Sequence, residues 1–213
     1  MAVSAKICGL STPETLDAAI AGGASHVGFV FFAKSPRNLE IEQAAALVRQ
    51  VPSHVARVGL FVDAEPGFIA EVVRQLKLDV LQLHGDESPA QTARLGAEHG
   101  VEVWKAIPVR IRADLAKGRS YHGAATRLLY DAKPPRGAEL PGGNGLRFDW
   151  TLLAGHAHAL PWALSGGLDP VNVAEAVRVT GAGLVDVSSG VERAPGIKDV
   201  DKIAAFLQAV AAL

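Results

Sequence analysis

An α/β fold, a single-domain (β/α)8 barrel covering residues 1–213, is what this sequence predicts. Three observations lead to it. Short β-rich runs alternate with alanine-rich amphipathic stretches eight times, which implies parallel strands joined by right-handed crossovers. A further helical pattern follows the eighth strand, an addition that a doubly wound open sheet seldom needs. The stretch from Leu160 to Glu192, LPWALSGGLDPVNVAEAVRVTGAGLVDVSSGVE, places two loops of small residues after two consecutive strands. In such barrels that is where a phosphate is held.

The strands are expected at residues 5–8, 26–31, 57–62, 80–83, 101–105, 127–131, 162–165 and 184–187. Helical patterns follow at 13–21, 41–51, 66–76, 89–99, 111–118, a weaker 150–154, 171–180 and 200–212. Thr12-Pro13, Glu65-Pro66 and Ser88-Pro89 each put a proline in the first helical turn, where its missing N–H costs nothing. Asp169-Pro170 gives the seventh helix a similar start, and Gly181 with Gly183 ends it by allowing positive φ. The longest irregular stretch is 132–148, AKPPRGAELPGGNGLRF, too rich in proline and glycine for a helix. It follows the sixth strand, so it belongs at the mouth of the barrel, where loops of this length are functional or mobile.

Composition narrows the function. At 213 residues the chain suffices for one barrel, and 49% hydrophobic with 20% charged residues is ordinary for a globular protein. A net charge of −1 gives no broad electrostatic reason for a nucleic-acid or acidic-membrane partner. The single cysteine excludes an internal disulfide and fits a reducing compartment. No run approaches the roughly 18 apolar residues of a membrane span, and MAVSAKICGL lacks the pattern of a signal peptide. The expectation is a soluble, cytoplasmic, single-domain protein.

Several residues sit where barrel chemistry occurs. Cys8 ends the first strand with Lys6 one inward layer below, a cation that would favour the thiolate; the alternative is an inert buried thiol. Asp131 finishes an apolar sixth strand and suits a general acid. The alternative is an aspartate paired with Lys133 or Arg136, or bonded to loop amides. Arg37, just past the second strand, could grip a carboxylate with two prongs, or lie solvated on the surface. Gln82 and His84 share a strand face, so His84 reaches the mouth, to touch substrate or to be a neutral hydrogen-bonded side chain. Asp186 points inward, toward a sugar hydroxyl or into an ion pair with Lys6 or Lys105. Gly166, Gly167 and Gly190 leave backbone amides free for a phosphate, with Ser188 and Ser189 adding hydroxyls; ordinary tight turns are the alternative.

Metal binding is not expected, since His156 and His158 lie outside any strand end without an acid nearby. Nor is a cofactor, because Gly142-Gly143-Asn144-Gly145 follows a proline loop and not a strand.

Together these residues resemble the phosphoribosylanthranilate isomerases of tryptophan biosynthesis, end to end. The resemblance is carried by KICGL (6–10), GFVFFAKSPR (28–37), RVGLFV (57–62), LQLHGDE (81–87), YDA (130–132), GGNGLRFDW (142–150), LSGGLDPVNV (164–173) and DVSSGVERAPGIKD (186–199). It implies a TIM barrel that converts N-(5-phosphoribosyl)anthranilate to 1-(2-carboxyanilino)-1-deoxyribulose 5-phosphate by an Amadori rearrangement. It further implies Cys8 as general base, Asp131 as general acid and Arg37 on the anthranilate carboxylate. The partner would be a small phosphosugar, with neither nucleic acid nor membrane, and the enzyme a monomer or homodimer. Asn144 departs from the threonine common in the family's GGTG. For the chemistry, Asp131 should titrate above and Cys8 below the free values.

Competing readings remain at this point. The related histidine-pathway isomerase uses two aspartates, where this chain has Cys8, and a second phosphate loop that the acidic Asp63-Ala64-Glu65 does not provide. A Schiff-base aldolase would rest on Lys105. A non-catalytic phosphosugar-binding barrel would need only the phosphate loops, and a dual-substrate isomerase is the last alternative.

Overall fold

Residues 2–135, 137–138 and 140–213 are described by the structure, a computed structural model. Eight parallel strands close into a barrel in sequence order. They are β1 (Ser4–Cys8), β2 (His26–Phe31), β3 (Ala56–Phe61), β4 (Val80–Leu83), β5 (Glu102–Val109), β6 (Arg127–Ala132), β7 (Trp162–Leu164) and β8 (Leu184–Val187). Closure comes from β1 pairing with β8, with Lys6 opposite Asp186, which excludes the open-sheet alternative.

The outer ring holds α1 (Pro13–Ala21), α2 (Ile41–Val48), α3 (Pro66–Leu76), α4 (Pro89–His99), α5 (Val173–Thr180) and α6 (Val200–Ala211). Thr12 and Ser88 cap their helices through side-chain oxygens, and Pro66 opens α3, as the sequence signals imply.

Departures from the sequence expectation have local causes. α2 stops at Val48 rather than at 51, because Pro52 disfavours helical geometry in the residue before it. β5 runs on to Val109 through Pro108; beyond Lys105 it has lost β4 as a neighbour, so the missing amide interrupts no ladder there. The fifth and sixth helices are 3-10 segments, Arg112–Tyr121 and Trp150–Leu153. The first buries only Leu115 and Gly118, too narrow an apolar stripe to hold a full α-helix against the barrel. At the seventh helix, Asp169 caps the amides of Val171 and Asn172, but regular α geometry starts only at Val173. After β8 the chain forms an unforeseen hairpin, β9 (Glu192–Ala194) with β10 (Ile197–Lys198).

Strand alternation sorts the barrel interior into layers. At the floor an apolar cluster gathers Val58, Val80, Trp104, Ala106, Leu129, Ala163 and Leu184. Two residues further along β4 and β8 come Gln82 and Asp186, level with Lys6 of β1, all buried. One more step brings Cys8, His84, Asp131 and Ser188 to the rim at the strands' C-terminal ends. A larger apolar cluster fills the space between the strands and the helices. No helix of the described residues is long and apolar enough to cross a membrane.

Candidate active site

The rim encloses a cavity of ≈ 740 Å³. Cys8, Arg37, His84, Asp131, Asp186, Gly166, Gly167, Ser188 and Ser189, nominated from all around the sequence, line it together. Gly190 does not reach its wall. It lies beneath the loop after β7, where a Cβ would collide with the carbonyl of Leu168, so the two loops interlock through a residue that only glycine can be.

Cys8 is buried, its backbone turned aside by Gly9 at φ 78. Lys6 lies below as expected, but its ammonium is held by Asp186 at 2.8 Å. Of the two readings for Asp186, the ion pair is therefore present, although its carboxylate also borders the cavity. Burial works against the lysine charge, yet Asp186 and Cys8 keep its pKa above the ordinary value. The consequence for the thiol corrects the sequence expectation. Burial pushes Cys8 above its ordinary pKa; Lys6 pulls it down, but Asp186 adds to the upward push.

Asp131 is buried. Its Oδ1 accepts the amide of Ala132 at 2.8 Å and its Oδ2 meets His84 Nε2 at 3.0 Å. Lys133 does not pair with it, reaching Asp114 instead at 3.2 Å; Arg136 lies outside the described residues. Gln82 Nε2 stands 3.2 Å from His84 Nδ1. With its nitrogen toward Nδ1, the Gln82 amide leaves Oε1 without a partner among the described residues, and His84 Nε2 faces Asp131. His84 is thus both hydrogen-bonded and part of the cavity wall.

Arg37 is neither solvated nor free for a two-pronged grip along its Nε edge. Glu192 occupies that edge, accepting from Nε at 2.7 Å and from Nη2 at 2.9 Å. Nη2 also donates to the carbonyl of Gly143 at 3.1 Å. Nη1 has no protein partner among the described residues.

The loop after β7 carries positive φ at Gly166 (89°) and Gly167 (65°), conformations that side chains rarely adopt. Asn172 fixes it by donating to the Gly167 carbonyl at 3.0 Å. With that carbonyl tied back, the amides of Gly166 and Gly167 donate to no acceptor among the described residues. Two unpaired N–H groups on a cavity wall are what an anion needs. Ser188 is less available than expected, because its hydroxyl donates to the carbonyl of Cys8 at 3.1 Å. Across the rim, residues Leu140–Leu146 of the long loop close over the cavity, with Asn144 donating to the Leu140 carbonyl at 3.1 Å.

Lys105, the aldolase candidate, is buried away from the cavity. Its ammonium donates to the carbonyls of Leu83 (3.3 Å) and Gly85 (2.7 Å) and to Glu87 (3.0 Å), leaving no free amine for a carbonyl substrate.

Comparison with known proteins gives this arrangement its place. A family model described as N-(5'-phosphoribosyl)anthranilate isomerase matches residues 5–209. The chain belongs to this isomerase family. It is 56% identical to the N-(5'-phosphoribosyl)anthranilate isomerase of Rhodospirillum centenum, over 100% of both chains. The crystal structure of the Thermotoga maritima isomerase superposes with a TM-score of 0.89 at 37% identity, covering 99% of this chain and 100% of that one. An isomerase solved in complex with reduced 1-(o-carboxyphenylamino)-1-deoxyribulose 5-phosphate gives 0.86 at 34%, with the same coverage.

Two residues of this isomerase chain escaped the sequence reading. Glu192 and Lys198 are both buried, and Lys198 donates to Glu192 Oε1 at 2.7 Å and to the Ser188 carbonyl at 3.0 Å. Their signal was present in the GVERAPGIK segment, where an acid and a lysine lie six apart around a Pro-Gly turn. Nothing in that spacing says the two side chains face inward.

Proposed function

We propose that Cys8 and Asp131 are the general base and general acid of the isomerase, acting on a sugar held by the backbone at one end and by Arg37 at the other. The chain catalyses the conversion of N-(5-phosphoribosyl)anthranilate to 1-(2-carboxyanilino)-1-deoxyribulose 5-phosphate in tryptophan biosynthesis. The observation that carries the residue assignment is that the thiol and the carboxyl line one cavity beside two unpaired glycine amides.

The steps follow from those positions. Asp131, protonated, gives its proton to the ribose ring oxygen as the C1–O bond breaks, which leaves a Schiff base. Cys8 as thiolate takes the C2 proton, and the resulting enolamine tautomerises to the ketone. His84 Nε2, 3.0 Å from Oδ2, orients the acid across the sugar. Gly166 and Gly167, with Ser188 and Ser189 across the wall, receive the phosphate. Asp186 reaches a ribose hydroxyl while remaining paired to Lys6. At the far end Phe32 and Leu60 offer an apolar wall for the anthranilate ring, with Arg37 Nη1 beside its carboxylate. Anchoring both ends fixes the reacting carbons between the two groups, which lowers the barrier by several kcal/mol, on the order of what positioning supplies. In this reading residues 1–213 act as one cytoplasmic catalytic unit, monomeric or homodimeric, with no cofactor.

The test follows the loss of substrate fluorescence in purified protein. Cys8→Ser and Asp131→Asn each lower kcat by about 10²–10⁴-fold with ligand affinity little changed. Near-normal turnover in either variant removes that residue from the mechanism.

A further inference from the structure

The geometry points to Glu192 and Lys198 as positioning residues for substrate recognition, acting through Arg37: Glu192 aims the guanidinium and Lys198 keeps the cluster cationic. The inference rests on the reading that Arg37 meets the anthranilate carboxylate. It goes further in assigning work to the hairpin of β9 and β10.

Three charged side chains are packed together under the cavity wall, all of them buried. Glu192 receives Arg37 Nε at 2.7 Å and Nη2 at 2.9 Å, a fork-on-fork pair that fixes the plane of the guanidinium. The remaining Nη2 hydrogen goes to Gly143, so the unpartnered Nη1 is the atom left for a ligand. An arginine so held loses little side-chain freedom when it binds. Pairing with Glu192 alone would have a drawback, because the ion pair would present no net charge to an incoming carboxylate. Lys198 removes that drawback. Its ammonium lies 2.7 Å from Glu192 Oε1; burial lowers its pKa and Glu192 works against that, and with the lysine protonated the triad carries one net positive charge. β10 brings the lysine onto Oε1, the oxygen that also accepts Arg37 Nε, and its other bonds, to the carbonyl and hydroxyl of Ser188, join the cluster to the turn beside Cys8.

The two roles separate by substitution. Lys198→Met leaves the aim and neutralises the cluster. Glu192→Gln combined with Lys198→Met restores the single positive charge and loses the aim, and it leaves no buried charge unpaired apart from Arg37. The readout is the ratio of inhibition constants for two product analogues, the reduced carboxyanilino-deoxyribulose phosphate and its counterpart with aniline in place of anthranilate. Partial unfolding affects both inhibitors alike and cancels in the ratio, so a merely structural role does not move it.

Wild type should favour the carboxylate-bearing analogue by tenfold or more, about the worth of one charge-assisted hydrogen bond. Arg37→Ala, Lys198→Met and the Glu192/Lys198 double variant should each lose most of that preference. Adding Arg37→Ala to the double variant should lower it no further, since the effect runs through the arginine. A wild type without preference overturns the reading of Arg37 itself. A wild-type preference that survives in the double variant overturns the inference alone, and one that survives only in Lys198→Met removes the lysine's part.

Discussion

Two buried ion clusters flank the rim of this barrel, built from the same residue types to opposite ends. On one side Lys105 and Glu87 satisfy each other and their surroundings. The ammonium makes three bonds, and Glu87 accepts the amides of Asp63 and Gly85, tying the loops after β3 and β4 together. On the other side Arg37, Glu192 and Lys198 are equally buried, but one guanidinium nitrogen is left over beside the cavity. Burial and pairing therefore do not by themselves mark a functional charge. What separates the two clusters is a donor left over at a cavity wall.

The comparison can be broken from the structural side first. Lys105→Met removes one partner of a closed pair and strands Glu87, so it should cost about 3–5 kcal/mol of stability in urea denaturation. The KM of the folded variant should hardly move. A large KM effect would mean that this cluster, too, serves the substrate.

The pair beneath Cys8 is intermediate, closed in its bonding but in electrostatic contact with the thiol. Because burial and Asp186 raise the thiol pKa, kcat/KM of the wild type should climb with pH through neutrality and level off only above the ordinary thiol value. Asp186→Asn removes one of the upward pushes and leaves Lys6 to face the thiolate. The limb in the pH profile should then move to lower pH. An unmoved limb would show that Asp186 does not govern the base.

The smallest effect belongs to the half-exposed pair at the other end of the strands, Arg57 with Asp79 at 2.7 Å. Burial opposes the Asp79 charge, but Arg57 holds its carboxyl below the usual value. That stability is present above the unfolded pKa of about 3.9 and is lost as pH falls through the folded value. Solvent screening limits the loss in Asp79→Asn to about 1 kcal/mol or less, read as a shift in the denaturation midpoint.

Much of this architecture was legible because period and punctuation agree. Pro13, Pro66 and Pro89 mark helix starts, and β-branched runs mark strands. The fifth helix misled because a helical pattern in sequence does not say whether the stripe is wide enough to be packed as an α-helix. At the site, strand-end position and alternation sufficed to bring Cys8, His84, Asp131 and Asp186 to one face. What alternation cannot supply is which partner a side chain takes once there. Lys6 was correctly placed under Cys8 and does pull the thiol down, but burial, joined by Asp186 from 180 residues away, outweighs it. Glu192 and Lys198 were missed for the same reason, since their inward orientation is set by a hairpin that the strand pattern does not announce.

Closure between β1 and β8 also bears on how the molecule comes into being. Lys6 finds its counter-ion, and the carbonyl of Cys8 its hydroxyl donor, only in residues 180 positions later. A nascent chain leaving the ribosome can pair its first seven strands in succession, yet the surroundings of the thiol stay unfinished until the eighth arrives. The surroundings of Cys8 are thus completed in the same event that seals the cylinder, and a partly synthesised chain carries the thiol without its setting.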